Sequence, residues 1–178
     1  MKFTRSEIPD IIIIEPNVHE DKRGYFFESY RDSELNEFLG YNVNFCQENE
    51  SKSKYGVLRG LHYQIEPFAQ SKLVRVIKGK VLDVALDIRS KSPTFGKHIT
   101  IELSEENKLQ LFIPKGFAHG YVALSKEIIF SYKVDNYYSP KSERSIKYDD
   151  PSLNIDWKID RNKIIISKKD LDNPSIRY

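Results

Sequence analysis

The segment 81–89 constrains the fold more than any other part of the chain, because its apolar and charged residues alternate. Its apolar residues at 82, 84, 86 and 88 share one face, whereas Asp83, Asp87 and Arg89 share the other. Successive side chains of a β-strand point to opposite sides, so a period of two predicts a half-buried strand here.

Shorter strand-like runs surround this segment, and turn residues separate them. The runs cover residues 72–77, 99–103, 109–113, 120–124 and 128–134. One helix is expected, capped by Asp32 or Ser33 and ended by Gly40. Many short strands with little helix are typical of a sandwich or a jelly-roll barrel. We therefore predict an all-β jelly-roll barrel with a few short helices, forming one domain over residues 1–178.

Composition excludes several functional classes. The 178 residues carry 28 Lys and Arg against 26 Asp and Glu, a net charge of +2, so we expect no nucleic-acid partner. The longest apolar run, residues 11–14, is far shorter than the ~20 residues of a membrane helix, so we expect no membrane partner. The single cysteine, Cys46, excludes an internal disulfide and is typical of a reducing cytoplasm.

Polar residues concentrate in four segments, at 21–28, 47–72, 113–120 and 132–143. In the second segment, strand alternation would place Arg59 and His62 on opposite faces unless Gly60 marks a β-bulge. A single histidine in a strand is more often structural than catalytic, so His62 alone does not establish an active site.

The third segment adds a second histidine in a recognisable motif. The pattern PxGxxH at 114–119 resembles the second motif of the cupin superfamily, in which a tight turn presents a histidine into a barrel. Metal-binding cupins carry a companion His-x-His motif, where this chain has His62-Tyr63-Gln64. Two histidines without a nearby third ligand are a poor site for iron, manganese or zinc. The resemblance implies a cupin-type jelly roll without a metal.

Eight short motifs follow one another between residues 11 and 170. They are DxRGxFxE at 21–28, GVLRGLHYQ at 56–64, QxKLVRV at 70–76, SPTFG at 92–96, IPxGFAHG at 113–120, YK at 132–133, YYxP at 137–140 and SxKD at 167–170. In this order they resemble the dTDP-4-dehydrorhamnose 3,5-epimerase family, metal-free cupins that epimerise a nucleotide-linked 4-keto-6-deoxy sugar. The resemblance implies an isomerase without a cofactor.

The resemblance also implies catalytic roles that fit the chemistry. Both stereocentres, at carbons 3 and 5, adjoin the ketone at carbon 4, so inversion through an enolate requires a base, an acid and a cation at the ketone oxygen. His62 matches the base, Tyr132 the acid and Lys72 the cation. Asp170 matches the carboxylate that orients His62, and Asp83 on a neighbouring strand is its competitor.

The remaining matches hold the nucleotide end of the substrate. The resemblance assigns the diphosphate to Arg23 and Arg59 and the thymine ring to Tyr138. It implies further substrate contacts from Phe26, Glu28, Gln47, Glu48, Asn49, His119, Glu143 and Lys169. Taken singly, the two arginines would be interpreted as surface ion pairs and Tyr138 as core packing.

The leading hypothesis is epimerisation at carbons 3 and 5 of dTDP-4-dehydro-6-deoxy-D-glucose, in dTDP-L-rhamnose biosynthesis. The alternatives are an epimerase acting at one carbon, a non-catalytic cupin that binds a sugar nucleotide, and a metal-dependent cupin. The family also implies a homodimer, with an N-terminal strand added to the partner's sheet and residues near Arg23 reaching the partner's pocket. The isoleucine run 11–14 is either that strand or an ordinary internal one.

Overall fold

Thirteen β-strands and two short α-helices form the regular structure of residues 1–176, the part of the chain that this computed structural model describes. The strands are β1 Lys2–Arg5, β2 Ile12–Glu15, β3 His19–Asp21, β4 Gly24–Phe26, β5 Gln47–Lys54, β6 Leu58–Gln64, β7 Lys72–Lys78, β8 Lys80–Asp87, β9 His98–Ser104, β10 Gln110–Ile113, β11 Phe117–Ala123, β12 Glu127–Val134 and β13 Glu143–Ser145. The helices are α1 Asp32–Leu39 and α2 Lys168–Leu171, preceded by a 3₁₀ turn at Arg161–Lys163.

Two antiparallel sheets enclose the main core. The six-stranded sheet has the order β1-β2-β10-β7-β12-β5, and the five-stranded sheet has the order β13-β6-β11-β8-β9. Val74 and Phe130 of the first sheet meet Val81 and Tyr121 of the second in one buried cluster. The predicted all-β, cupin-type jelly roll is confirmed. No helix within residues 1–176 is long and apolar enough to cross a membrane.

Strand β8 is buried on both faces, so the prediction of a half-buried strand is wrong. Leu82 and Val84 pack outward against a cluster that includes Trp157 from the C-terminal segment. Val81 packs inward in the main core, and Asp83 on the same face is 0% exposed. The carboxylates of Asp83 and Asp87 are therefore buried rather than exposed to water.

Two features near the N-terminus refine the expectations. Helix α1 begins after Arg31 without a side-chain cap, so neither Asp32 nor Ser33 is its cap. Asp32 lies in the first turn instead, where a carboxylate interacts favourably with the helix dipole. The helix ends as predicted at Gly40, whose φ of 79° is left-handed. Within this chain the isoleucine run forms an internal strand, because β2 lies between β1 and β10.

Candidate active site

A β-bulge in β6 brings two predicted site residues into one cavity. His62 pairs with His119 of β11 and Arg59 pairs with Tyr121, so two residues of β6 stand opposite Gly120 alone. Gly60 in the bulge has a φ of 138°, and a Cβ there would lie 2.5 Å from the Cα of Gly120. Only glycine fits such a conformation and approach. The structure contains the bulge that the sequence left as one of two possibilities, and Arg59 and His62 line the same cavity.

This cavity has a volume of about 700 Å³ and is bounded by residues of both sheets. Eleven of the predicted site residues line it: Gln47, Asn49, Arg59, His62, Lys72, His119, Tyr132, Tyr138, Glu143, Lys169 and Asp170. The positions span strands of both sheets and helix α2, so the fold gathers motifs that are more than 100 residues apart in the chain.

Asp170, and not Asp83, is the partner of His62. The His62 Nε2 donates to Asp170 Oδ1 over 2.6 Å, and Asp170 is 4% exposed. Ser167 caps helix α2 by accepting a hydrogen bond from the Asp170 backbone, which fixes the carboxylate. Burial, the largest single effect, raises the pKa of Asp170, but the hydrogen bond and the charge of His62, together with hydrogen bonds from Ser167 and the Gly60 backbone, hold that pKa below its ordinary value. An ionised Asp170 fixes the tautomer of His62 and leaves its other ring nitrogen free to accept a proton.

Asp83 holds the second histidine instead. His119 Nε2 lies 2.9 Å from Asp83 Oδ2, and both side chains are buried in the barrel. Burial lowers the pKa of His119, and the attraction of Asp83 opposes that effect only in part. His119 is therefore a neutral, fixed donor or acceptor on the cavity wall, one strand away from His62.

Lys72 projects from the six-stranded sheet to the backbone of the opposite sheet. Its Nζ donates to the carbonyl oxygen of His62 over 3.3 Å. Burial lowers the pKa of Lys72 to about 8, while Asp83 and Glu143 act in the opposite direction. Most molecules therefore carry a buried ammonium group next to His62 at neutral pH, where a positive charge stabilises an anion strongly.

Tyr132 lies on β12 of the six-stranded sheet, whereas His62 lies on β6 of the five-stranded sheet. Burial, followed by the neighbouring Tyr121, raises the pKa of the Tyr132 phenol. The group therefore remains protonated over the neutral range and can donate. A proton acceptor and a proton donor thus come from the two opposite sheets that bound one cavity.

The rim of the cavity is a chain of polar contacts. The Tyr138 hydroxyl donates to Glu143 Oε2 over 2.9 Å, and Lys169 Nζ donates to the same oxygen over 2.5 Å. Tyr138 is 53% exposed, so its ring is not core packing. Arg59 donates from Nε to Ser53 Oγ over 3.2 Å. Because this partner is a hydroxyl and not a carboxylate, the contact is not the surface ion pair that Arg59 taken singly would suggest.

Three predicted residues lie outside the cavity of their own chain. Arg23 and Phe26 belong to the β3–β4 hairpin, where the Arg23 side chain is 85% exposed and paired with Asp21. Glu28 follows the hairpin and pairs with Arg31. None of them lines the cavity that holds His62.

Glu48 also departs from the expectation for Gln47–Asn49. Strand alternation directs Gln47 and Asn49 into the cavity and Glu48 to the other face of the sheet. There Glu48 accepts hydrogen bonds from Ser131 at 3.0 Å and from Lys133 at 2.7 Å. Within a single chain Glu48 does not line this cavity, and the substrate contact expected of it stays a prediction.

Tyr121 and Ser51 also line the cavity, although no motif in the sequence pointed to either of them. The Tyr121 ring stacks on Phe130 with centroids 4.3 Å apart, and its hydroxyl lies 2.9 Å from Ser51 Oγ. The available signal was alternation along β5, which places Ser51 on the same face as Gln47 and Asn49. In residues 1–176 no group of three or more His, Cys, Asp or Glu side chains is placed to hold a metal ion.

Comparisons with known proteins match the whole chain. The family model for dTDP-4-dehydrorhamnose 3,5-epimerase matches residues 5–177. The dTDP-4-dehydrorhamnose 3,5-epimerase of Shigella flexneri is 52% identical over 172 residues, which cover 97% of this chain and 94% of that protein.

Solved structures of the same family are also similar to this chain. The crystal structure of dTDP-4-dehydrorhamnose 3,5-epimerase from Elizabethkingia anophelis NUHP1 is similar with a TM-score of 0.95 and 52% identity, covering 98% of this chain and 96% of that one. A dTDP-6-deoxy-D-glucose-3,5-epimerase from Legionella pneumophila, in complex with dTDP-4-keto-L-rhamnose, is similar with a TM-score of 0.94 and 47% identity, covering 98% and 92%. The resemblance carried by the sequence motifs is confirmed, and the chain belongs to the dTDP-4-dehydrorhamnose 3,5-epimerase family.

Proposed function

We propose that this protein epimerises dTDP-4-dehydro-6-deoxy-D-glucose at carbons 3 and 5, giving dTDP-4-dehydro-L-rhamnose for dTDP-L-rhamnose biosynthesis. The observation that carries the proposal is the placement of His62 and Tyr132 on opposite sheets of one cavity, with the buried Lys72 next to His62. The relatives named above, one of them bound to dTDP-4-keto-L-rhamnose, support this substrate.

The first half-reaction removes a proton from the carbon beside the ketone. Neutral His62 accepts it on the ring nitrogen that Asp170 does not hold. The electrons of the broken C–H bond form a carbon–carbon double bond, and the carbonyl electrons move to the oxygen at carbon 4. The Lys72 ammonium stabilises the resulting enolate.

The second half-reaction returns a proton from the opposite face of the ring. Tyr132 donates its phenolic proton to the carbon, the ketone reforms, and the configuration is inverted. His62 is then protonated and Tyr132 ionised, so proton exchange with water restores both groups before the next centre reacts. The overall reaction neither gains nor loses a net proton or electron.

Tyr132→Phe keeps the aromatic ring and removes only the donor. We expect completed epimerisation to fall by about 10²–10⁴-fold, whereas loss of the substrate's C–H proton to solvent falls much less. Rates of product formation and of deuterium uptake, measured on the same samples, check this. An equal fall in both rates would contradict the role of Tyr132 as the acid.

The other cavity residues bind the rest of the substrate in this proposal. Arg59 contacts the diphosphate, since a forked guanidinium matches its oxygens, and the exposed ring of Tyr138 stacks on thymine. Gln47, Asn49, His119, Glu143 and Lys169 provide further substrate contacts. The cytoplasmic location expected from the lone cysteine stays a prediction.

A homodimer would give the β3–β4 hairpin a role. Tyr25 and Phe26 of this hairpin are 57% and 68% exposed, which is unusual for large apolar rings. In the proposed dimer, Arg23, Phe26 and Glu28 enter the partner's cavity. The edge strand β1 pairs with the partner's sheet, because an edge strand leaves backbone groups unpaired.

Mixing two defective variants tests the shared site. Arg23→Ala and His62→Ala are each expected to be defective. A heterodimer of the two keeps one site with both His62 and the partner's arginine. After equal mixing and subunit exchange, about half of the dimers are heterodimers, and each has one intact site out of two. The mixture should therefore regain about a quarter of wild-type activity. Lys22→Ala mixed with His62→Ala is the control and should only dilute activity. No recovery in a verified heterodimer would contradict the shared site.

The alternative functions differ in how many deuterons the substrate takes up from deuterated water. An epimerase acting at one carbon would take up one deuteron from deuterated water, and a non-catalytic binder would take up none. The proposed enzyme takes up deuterium at both carbons. Against the binder, His62, Lys72 and Tyr132 supply the base, cation and acid that enolisation requires.

A further inference from the structure

We infer that Gln64 is a positioning residue for nucleotide binding, because its buried side-chain amide fixes the backbone on both sides of Tyr138. The inference rests on the proposed function, in which Tyr138 stacks on the base of the substrate. Gln64 ends strand β6, two residues after His62.

The geometry around Gln64 is specific. Its Nε2 donates to the carbonyl oxygens of Phe68 at 2.6 Å and Tyr137 at 3.1 Å. Its Oε1 accepts from the backbone N–H of Ser139 at 2.6 Å. The side chain, 8% exposed as a residue, thus uses both donors and an acceptor on backbone groups. The carbonyl just before Tyr138 and the amide just after it are both held by this one group.

Packing does not fix this loop. Tyr137 and Tyr138 are 62% and 53% exposed, so neither ring anchors the chain in the core. Other hydrogen bonds hold the loop beside this amide. Asn136 donates to the Pro67 carbonyl at 3.0 Å and its own carbonyl accepts from Gln70 at 2.7 Å, while its Oδ1 accepts from the Tyr137 N–H at 3.0 Å. The Ser139 carbonyl accepts from the N–H groups of Ser142 and Glu143 at 3.0 Å, and the Tyr138 hydroxyl donates to Glu143. Gln64 is distinct among these groups because it binds the backbone on both sides of Tyr138 at once. A ring held in place before the ligand arrives loses less conformational entropy on binding, so the hydrogen bonds of Gln64 contribute to affinity.

Gln64 also occupies a notable position in the sequence. It stands where the companion motif of metal-binding cupins has its second histidine. An imidazole cannot offer two N–H donors and an oxygen acceptor at once, whereas a glutamine amide can. The position that holds a metal ligand in those cupins is therefore occupied here by a glutamine that hydrogen-bonds the loop carrying Tyr138.

Gln64→Met tests this inference, because methionine keeps the length and removes all three hydrogen bonds. We expect dTDP binding, measured by titration calorimetry, to weaken about tenfold. The kcat for epimerisation should change by less than about twofold, because catalysis at saturation does not depend on the loop. Gln64→Glu keeps an acceptor for Ser139 but places its second carboxylate oxygen against the carbonyl oxygens of Phe68 and Tyr137, so its affinity should fall at least as far as that of Gln64→Met.

A double-mutant cycle shows whether Gln64 acts through Tyr138. Tyr138→Ala alone should weaken dTDP binding, and adding Gln64→Met to it should cause little further loss. Tyr137→Ala is the matched control, since this neighbouring exposed tyrosine does not line the cavity, and it should bind dTDP like wild type.

The outcomes separate the inference from the proposed function. Wild-type affinity in Gln64→Met, or a loss that adds fully to that of Tyr138→Ala, overturns the inference while the function stands. A fall in kcat with unchanged affinity also overturns it. If Gln64→Met does not fold, as judged by thermal unfolding, the Gln64→Glu variant and its own cycle decide. Wild-type affinity in Tyr138→Ala would instead refute the proposed stacking.

Discussion

Replacing His62 with alanine is expected to abolish deuterium uptake at both carbons of the substrate while leaving dTDP binding nearly unchanged. His62 is the group in this cavity that a buried carboxylate, Asp170, prepares to accept a proton. A positioned base contributes typically 10²–10⁴-fold, so the rate should fall at least that far. Proton NMR in deuterated water measures the exchange, and calorimetry measures the binding.

Two comparisons make the His62 result decisive. His98→Ala removes a histidine of β9 that does not line the cavity, so it should retain wild-type exchange. Asp170→Asn should lower exchange while preserving dTDP binding, because the amide cannot fix the same tautomer. Substantial exchange remaining at either carbon in His62→Ala would refute His62 as the base for that carbon.

Replacing Lys72 with methionine is expected to lower kcat by about 10²–10³-fold, the usual cost of losing one preorganised electrostatic group. Methionine fills a similar volume without the charge, and Lys72 is 9% exposed, so water cannot easily substitute for the ammonium. Deuterium uptake should fall together with product formation, since both require the enolate. A variant that keeps exchange but loses product would contradict this role.

The same lysine should set the alkaline limb of the pH profile. The pKa of Lys72 is lowered to about 8 by burial, and the protonated form is the active one. The contribution of Lys72 to kcat/KM should therefore be complete well below pH 8, half lost at about pH 8, and should fall about tenfold per pH unit above it. Tyr132 does not produce this limb, because its pKa is raised above the ordinary phenol value.

Lys72→Arg tests that assignment. A guanidinium does not lose its proton in this range, so the limb should move to higher pH even where the activity is lower. An alkaline limb that stays near pH 8 in Lys72→Arg would show that another group titrates there.

Local patterns in the sequence predicted much of the fold and the site. Alternation located β8, strand-like runs between turn residues located β7 and β12, and Gly40 ended α1 where predicted. The conflict between alternation and a shared role for Arg59 and His62 pointed to a bulge at Gly60, which the register of β6 and β11 contains. These features depend on residues close together in the chain.

What the sequence did not predict depends on contacts between distant segments. The face of β8 that carries Asp83 and Asp87 was expected to be exposed, but both residues are buried. The apolar face with Leu82 and Val84 packs outward instead, against Trp157, which lies more than 70 positions further on. The choice between Asp170 and Asp83 required the position of α2 against β6. Glu48 was expected at the substrate together with Gln47 and Asn49, but its side chain lies on the other face of the sheet, where the distant Ser131 and Lys133 hold it.

Proton NMR of the wild-type protein with dTDP-4-dehydro-6-deoxy-D-glucose in deuterated water directly measures whether one or both carbons are epimerised. We expect loss of the signals of both the carbon-3 and the carbon-5 protons, with formation of the L-rhamno product and no added metal or cofactor. His62→Ala under the same conditions should leave both signals intact. Loss of only one signal, or of neither, in the wild-type protein would contradict epimerisation at both carbons.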